Sequence, residues 1–256
     1  MSEKPVIGII SGMGPAAGLD LASKLTGLTR ATSDQDHLPV ILMSFPGDIP
    51  DRTRYLLHNE GANPGEAIFE VARRLEAAGA TVAGIPCNTA HAPPILDHVA
   101  RRLTESGSRL KLLNMITETV HHLRQTIGPD EKVGILSTTG VSHTRLYSAP
   151  LAEAGFDTVE LDEDTHHRLI MDALYSREYG LKVVNPPSAN ARKQVLQSIE
   201  TLKQQGAQSV ILGCTELPLA VPEHQWEGIR LFDPGLLLAK ALIRHTYPDS
   251  LISDQT

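Results

Sequence analysis

The chain contains little cysteine, few aromatic residues and no long apolar or basic run. It has two cysteines among 256 residues, and 4% of its residues are aromatic. No apolar run approaches the roughly 18–20 residues that a membrane-spanning helix needs. The formal net charge is −7, and no run of Lys and Arg exceeds two residues, which disfavours an extended surface for nucleic acid or anionic lipid. We therefore predict no nucleic-acid partner and no membrane partner.

The N-terminal segment also lacks the features of a secretion signal. Residues 1–5 lead directly into a strand-like segment at 6–10, which leaves no room for the basic and apolar regions of a signal peptide. We therefore predict a cytoplasmic protein. A reducing compartment disfavours a structural disulfide, so Cys87 and Cys214 need another explanation.

The chain is instead rich in alternating β-branched and helical segments. Predicted strands cover 6–10, 39–45, 81–86, 110–113, 132–137, 157–161, 208–213 and 229–232. Predicted helices lie near 15–30, 62–78, 91–105, 115–127, 142–154, 165–177, 188–205 and 234–245. Strands separated by helices favour parallel pairing with helices covering the sheet. The pattern predicts an α/β fold.

A weak internal repeat divides the chain into two halves. Residues 8–11 (Gly-Ile-Ile-Ser) recur as residues 134–137 (Gly-Ile-Leu-Ser), and five further positions match in order: Ile68, Ala72, Leu75, Gly79 and Ala80 with Val195, Ile199, Leu202, Gly206 and Ala207. Each series then enters a strand that ends in one of the two cysteines. Chance could produce the apolar matches, but the matched positions of both cysteines favour a duplicated half.

The repeat predicts two pseudo-symmetric α/β lobes, each with a mainly parallel sheet flanked by helices, and an active site in the cleft between them. Ligands of open α/β sheets bind beyond the carboxyl ends of the strands, where both cysteines fall. Cys87 precedes Asn88 and Thr89, and Cys214 precedes Thr215, which are residue types that cap helices. Amide groups at a helix start favour a thiolate. Burial of each cysteine as a small apolar residue stays an alternative.

Two thiols on two related lobes suit the inversion of a stereocentre. Such a reaction needs a base on one face of the carbon and an acid on the other, and the reverse reaction exchanges their roles. The carbanion also needs fixed donors for its carboxylate, which the polar turns could supply. The pattern therefore indicates racemisation by paired thiols.

At these residues the sequence resembles the aspartate/glutamate racemase superfamily, and within it the aspartate racemase branch. Four motifs carry the resemblance, which spans residues 6 to about 240: Gly-Met-Gly-Pro at 12–15, Pro-Asp-Arg-Thr at 50–53, Pro-Cys-Asn-Thr-Ala-His at 86–91, and Gly-Cys-Thr-Glu-Leu at 213–217. The resemblance implies a two-lobe fold, no cofactor such as pyridoxal phosphate, and a homodimer. It also implies that the C-terminal helix returns to the first lobe, so we assign 1–114 with 228–256 to the first lobe and 115–227 to the second.

The resemblance further implies residue roles. Cys87 and Cys214 match the catalytic pair, Arg52 matches an arginine associated with the side-chain carboxylate of the substrate, and Lys182 resembles a second basic position. Pocket-lining positions are matched by Met13, Asn88, Thr89, Thr139 and Thr215. Ser11, Val141 and Val184 depart from the usual pattern of the family, which bears on side-chain specificity more than on chemistry. Cys-Thr-Glu in place of Cys-Thr-His argues against a cell-wall glutamate racemase.

These observations predict a cofactor-independent amino-acid racemase, with aspartate as the first substrate and glutamate or a broader set as the second. A non-catalytic protein that binds small dicarboxylates is the alternative of another class, although binding alone needs neither cysteine. A one-thiol decarboxylase or isomerase would need only one cysteine.

Two other motifs have competing interpretations. The Gly12-x-Gly14-x-x-Ala17 pattern also fits a dinucleotide-binding turn, but Asp34 and Asp36 precede the second predicted strand, whereas the expected acid follows it. A tight turn with Pro15 opening a helix is the better interpretation.

The spacing of Cys87 and His91 could indicate zinc. A structural zinc site needs four convergent ligands, and no second cluster has suitable spacing, so we predict no metal. His91 is interpreted as a helix-face residue or a partner of the site. The pairs at 121–122 and 166–167 are predicted to be solvated histidines.

Overall fold

The computed structural model describes residues 4–252, which form two compact units. Unit 1 comprises the described residues up to Glu118 together with those from Gly235, and unit 2 comprises Thr119–Pro234. Among the described residues, no helix combines the length and the apolar character needed to cross a membrane.

The strands are short, and two strands of each unit are buried along their whole length. They are β1 (Ile7–Ser11), β2 (Val40–Ser44), β3 (Val82–Gly84), β4 (Lys111–Leu113), β5 (Val133–Ser137), β6 (Thr158–Glu160), β7 (Ser209–Gly213), β8 (Gln225–Trp226) and β9 (Ile229–Phe232).

The helices connect these strands. They are α1 (Pro15–Gly27), α2 (Arg52–His58), α3 (Pro64–Ala77), α4 (Pro93–Glu105), α5 (Met115–Thr126), α6 (Thr139–His143), α7 (Ser148–Glu153), α8 (Glu163–Thr165), α9 (Asp172–Tyr175), α10 (Ala189–Gln204), α11 (Leu217–Ala220) and α12 (Pro234–Thr246). Short 3₁₀ turns cover Asp34–Asp36, Asn88–His91 and Pro248–Ser250, and a π-helical turn covers His166–Met171.

The two sheets share one strand order, which agrees with the predicted repeat. The sheet of unit 1 is parallel in the order β2-β1-β3-β4, and that of unit 2 has the order β6-β5-β7-β9-β8, in which only β8 pairs antiparallel. β5, β6, β7 and β9 therefore correspond to β1, β2, β3 and β4. The α/β class with mainly parallel sheets and flanking helices is confirmed.

Packing explains why the repeat kept a glycine in the first strand of each unit. A Cβ at Gly8 would lie 3.3 Å from Leu75 and 3.1 Å from Ala80. The equivalent Gly134 meets Leu202 at 3.0 Å and Ala207 at 3.3 Å. The matched positions in sequence are thus the same contacts, because in both units this strand lies against a leucine and an alanine from the helix, and its final turn, that lead into the neighbouring strand.

Several predicted boundaries differ from the observed ones. Residues 52–58 lie outside every predicted helix but form α2, which starts after Asp51. The Asp51 side chain accepts a hydrogen bond from the Arg54 N–H at 2.7 Å. The helix predicted at 142–154 is divided in two, because Arg145 adopts a left-handed conformation with φ of 52°. β9 pairs with β7, so residues 229–232 lie in unit 2, whereas the sequence analysis assigned them to the first lobe.

Candidate active site

Cys87 lies at the carboxyl end of β3, where the chain turns into the 3₁₀ segment Asn88–His91. The side chain is buried, with 5% of its surface exposed. The N–H of Ala90 donates to the Cys87 carbonyl at 3.2 Å, which closes the turn. The sequence prediction of a cysteine at a strand-to-helix turn is therefore confirmed for unit 1.

His91 stabilises this turn through hydrogen bonds at both ring nitrogens. Its Nδ1 lies 2.9 Å from the Cys87 carbonyl, and its Nε2 accepts a hydrogen bond from the Met115 N–H at 3.2 Å. Burial lowers the pKa of His91 to about 4, so the ring is neutral near pH 7 and Nδ1 carries the proton. Both ring nitrogens are occupied, which leaves neither for a zinc ion. His91 is thus a partner of the Cys87 turn, one of the two roles that the sequence suggested.

Met13 and Arg52 lie at the same edge of the unit 1 sheet. Met13 is in the loop that follows β1, the neighbour of β3, and is buried. Arg52 opens α2 and donates from Nη1 to the Pro50 carbonyl at 3.1 Å and from Nη2 to the Met13 carbonyl at 3.4 Å. Gly12 has φ of +116°, and a Cβ there would lie 2.9 Å from the backbone of Phe45. The loop therefore depends on glycine, and it presents Met13 beside the Arg52 guanidinium.

Asp36, one of the two acidic residues considered for a dinucleotide site, has a structural role in its own loop. The Asp36 carboxylate accepts hydrogen bonds from the backbone of Thr32 at 2.8 Å and of Ser33 at 2.9 Å, in the loop before β2. These bonds lower the pKa of Asp36 to about 2. The residue serves as a local loop anchor, and Pro15 opens α1 as the sequence analysis expected.

Cys214 occupies the equivalent place in unit 2, at the carboxyl end of β7. It is 5% exposed, and its carbonyl accepts a hydrogen bond from the Leu217 N–H at 2.9 Å as α11 begins. Thr215 is also buried. The Sγ of Cys214 donates to the Oε2 of Glu216 at 3.1 Å.

Glu216 is a functional candidate that the sequence alone does not identify. It is 2% exposed, and its Oε1 accepts a hydrogen bond from the Lys182 ammonium at 2.6 Å. The Thr215 hydroxyl donates to Oε2 at 3.4 Å. Its place two residues after a cysteine was visible in the motif, but its partner is 34 residues away along the chain.

The electrostatics of this group follow from burial and two opposite charges. Burial raises the pKa of the Cys214 thiol well above its ordinary value, the Glu216 charge raises it further, and Lys182 offsets part of the effect. Burial opposes the charge of Glu216, but the Lys182 ammonium holds the pKa of that carboxyl below its ordinary value. Near pH 7 the group is therefore a neutral thiol, a carboxylate and an ammonium.

The loop that carries Lys182 is held by its own contacts. The Lys182 N–H donates to the Leu174 carbonyl at 3.1 Å, and the Ser188 hydroxyl donates to the Tyr179 carbonyl at 2.9 Å. Tyr179 also donates to Asp172. The ammonium of Lys182 lies 5.7 Å from the ring centroid of Tyr175. The ammonium is thus fixed beside Glu216.

Thr139 and His166 lie at the end of β5, the strand beside β7. Ser137 at the end of β5 is in register with Gly213, which precedes Cys214. Within residues 4–252, the buried Thr139 hydroxyl has no hydrogen-bond partner. His166 is half-buried, with Nε2 lying 2.8 Å from the Ser137 carbonyl. The prediction that His166 is a solvated helix residue is therefore wrong, since the π-helical turn directs its ring to the sheet edge.

The remaining predicted site residues, Asn88 and Thr89, are both buried in the turn after Cys87. The carboxyl ends of the strands in unit 1 thus bring together five of the predicted site residues: Met13, Arg52, Cys87, Asn88 and Thr89. The corresponding end of the unit 2 sheet brings together the other four: Thr139, Lys182, Cys214 and Thr215. Within the described residues, no group of three or more His, Cys, Asp and Glu side chains is placed to hold a metal ion.

A family model described as Asp/Glu/hydantoin racemase matches residues 10–242 of the chain. The chain belongs to this family. It is accordingly an enzyme of the cofactor-independent racemase class, an isomerase.

Individual relatives agree with this assignment. The broad specificity amino-acid racemase RacX of Bacillus subtilis is 26% identical over 246 residues, which cover 93% of this chain and 96% of the relative. The solved structure of Picrophilus torridus aspartate racemase is 29% identical, with a TM-score of 0.78 and 94% of each chain covered. Glutamate racemase from Francisella tularensis shares the fold, with a TM-score of 0.64 at 15% identity, covering 100% of this chain and 86% of that one.

Proposed function

We propose that this racemase-family enzyme inverts the α-carbon of an acidic amino acid, with aspartate as the first substrate and glutamate or a broader set as the second. One observation carries the proposal: the only two cysteines of the chain follow corresponding strands of two units with the same strand order. The likeness to an aspartate racemase and to a broad specificity racemase supports this substrate range.

In the proposed reaction, one thiolate removes the α-proton and the other thiol returns a proton to the opposite face. In one direction Cys87 takes the proton, its sulfur–hydrogen bond forms as the carbon–hydrogen bond breaks, and Cys214 gives its proton to the carbanion. The reverse direction exchanges the two roles. No external oxidant or carbanion sink enters this balance.

Polar groups around each cysteine are proposed to hold the substrate. The buried turn that contains Asn88 and Thr89 would supply donors to the α-carboxylate in unit 1, as Thr215 and Thr139 would in unit 2. Met13 would line the substrate site beside this turn of unit 1. Arg52 would bind the side-chain carboxylate, since a guanidinium can grip a carboxylate with two hydrogen bonds. The enzyme is proposed to work in the cytoplasm as a homodimer.

The decisive experiment is to incubate the enzyme with each amino acid in deuterated water. The proposal expects aspartate to gain solvent deuterium at the α-carbon while its chirality is lost, as followed by NMR and chiral chromatography. Activity is expected to persist after dialysis, chelation and hydroxylamine treatment. Tight binding of aspartate without any exchange would instead indicate a dicarboxylate-binding protein.

A further inference from the structure

Unit 2 contains an acidic group that the two-thiol reaction does not require. Glu216 is buried directly beside Cys214, at 3.1 Å from its sulfur. A buried carboxylate is costly unless it is paired and hydrogen-bonded, and this one accepts from three side chains: Lys182, Cys214 and Thr215. The carboxylate is therefore fully satisfied, and one of its two oxygens is directed at the sulfur.

We propose that Glu216, held by Lys182, is a positioning residue that keeps the proton on Cys214 between turnovers, so that Cys214 is the resting acid of the proposed reaction. The inference rests on the proposed function, which assigns Cys214 one of the two thiol roles. It gives Lys182 a role at the thiol, whereas the sequence resemblance implied one at the substrate.

The positions of the two Glu216 carboxylate oxygens support these roles for Glu216 and Lys182. The acceptor Oε2 of Glu216 faces the sulfur, while Oε1 faces the ammonium. The Lys182 side chain is 21% exposed and that of Glu216 only 3%. The ammonium is therefore engaged by a carboxylate of the enzyme itself, which reduces the charge it can offer to a carboxylate of the substrate.

The proton accounting is simple. When the carbanion forms, the Cys214 sulfur–hydrogen bond breaks, a carbon–hydrogen bond forms, and a Cys214 thiolate remains. Lys182 stabilises this thiolate, whereas Glu216 favours the return of a proton to it. Further titratable groups near this cluster, within the described residues, include Tyr147, Tyr175 and Asp233. Burial raises the pKa of Tyr147, so it stays neutral in the working range.

The test follows Cys214 directly, without substrate. Cysteine labelled with ¹³C at Cβ gives one resonance in a Cys87→Ser background, because the chain has only two cysteines. Its chemical shift reports the thiolate fraction against pH. Glu216→Gln should raise the Cys214 thiolate fraction at a fixed alkaline pH at least about tenfold, because a like charge has been removed. Lys182→Met should move the titration the opposite way.

A double variant separates this role from simple charge neutralisation. Glu216→Gln/Lys182→Met contains no uncompensated charge, so it stays informative if Glu216→Gln alone folds poorly. Its titration should fall between that of Glu216→Gln and that of the parent protein, since the carboxylate acts on the thiol more strongly than the ammonium does. The matched control is Glu223→Gln, which breaks the Arg192–Glu223 pair of the same unit at 2.5 Å and should leave the resonance unchanged.

Catalysis provides a second readout with both cysteines present. A racemase interconverts species of equal free energy, so kcat/KM for the two enantiomers must change together in any variant, and the pH profile is the informative measurement. Glu216→Gln should move the alkaline limb of the kcat/KM profile to lower pH by at least about one pH unit, which matches the tenfold rise in the Cys214 thiolate fraction. Lys182→Met should move that limb to higher pH.

Two results would overturn the inference. One is a Cys214 titration that Glu216→Gln and Lys182→Met leave unchanged or move in the same direction. The other is a Lys182→Met variant that loses activity on aspartate through KM alone, which would return Lys182 to substrate binding. Neither result concerns whether the parent enzyme racemises, so failure of the inference is distinguishable from failure of the proposed function.

Discussion

His91 is the buried residue whose contribution to stability is most directly calculable. Its ring is 3% exposed, and both nitrogens are hydrogen-bonded within unit 1. The pKa of His91 is lowered from its ordinary value of 6.5 to about 4. Each pKa unit corresponds to about 1.4 kcal/mol. The folded protein therefore favours the neutral ring over the protonated ring by roughly 3 kcal/mol more than the unfolded chain does.

The sign of the pH dependence follows from the lowered value. In the folded protein the ring resists protonation, so unfolding takes up a proton below pH 6.5. The contribution is fully present above pH 6.5 and is lost as the pH falls towards 4. By pH 4.5, about 2.5 kcal/mol of the free energy of unfolding that His91 contributes should be gone.

The assay is urea unfolding followed by circular dichroism between pH 7.5 and 4.5. His91→Asn keeps an N–H that can reach the Cys87 carbonyl, and it should cost about 1–3 kcal/mol at pH 7.5 because the acceptor for Met115 is lost. That cost should shrink by about 2.5 kcal/mol at pH 4.5. The matched control is His121→Gln, since His121 is exposed. A cost for His91→Asn that stays constant across the pH range would refute the reasoning.

Two further predictions concern unit 1. Arg52→Leu should raise the activation free energy derived from kcat/KM for aspartate by roughly 2–4 kcal/mol, because a charge-assisted pair is lost. The same substitution should affect alanine far less. Equal losses for both substrates in steady-state assays would exclude Arg52 from side-chain recognition. Gly18→Ala would place a methyl group 2.0 Å from the Ser11 hydroxyl oxygen, so it should cost about 1–3 kcal/mol of stability, and Ser11→Gly should restore part of this loss. Additive effects in that double-mutant cycle, measured by thermal unfolding, would show that the two positions do not clash.

The sequence predicted the features that follow from local periodicity. The alternation of strands and helices, the repeat and the turns after Cys87 and Cys214 could all be found, because each depends on short-range pattern or on two rare residues. The α2 helix was not found, because it has only seven residues and none of them is buried. Without a buried face, a short helix has no apolar period to detect.

The interactions that give the candidate site its chemistry depend on the folded chain. Lys182 and Glu216 are 34 residues apart, and His91 and Met115 are 24 residues apart. No spacing rule joins such pairs, so the sequence could place Cys214 at a turn but could not show the carboxylate that faces its sulfur. His166 was misassigned for the same reason, since its partner Ser137 lies 29 residues earlier.

The central claim is that the two thiols serve opposite faces of one carbon, and serine replacement tests it most directly. Cys87→Ser and Cys214→Ser should each lower net racemisation of aspartate at least about 10³-fold, because members of a catalytic unit fail together, and the double variant should be little worse. Each single variant keeps one thiol, so the two should exchange the α-proton of opposite enantiomers with deuterated water. A folded single variant that racemises at nearly the normal rate would contradict the two-thiol mechanism.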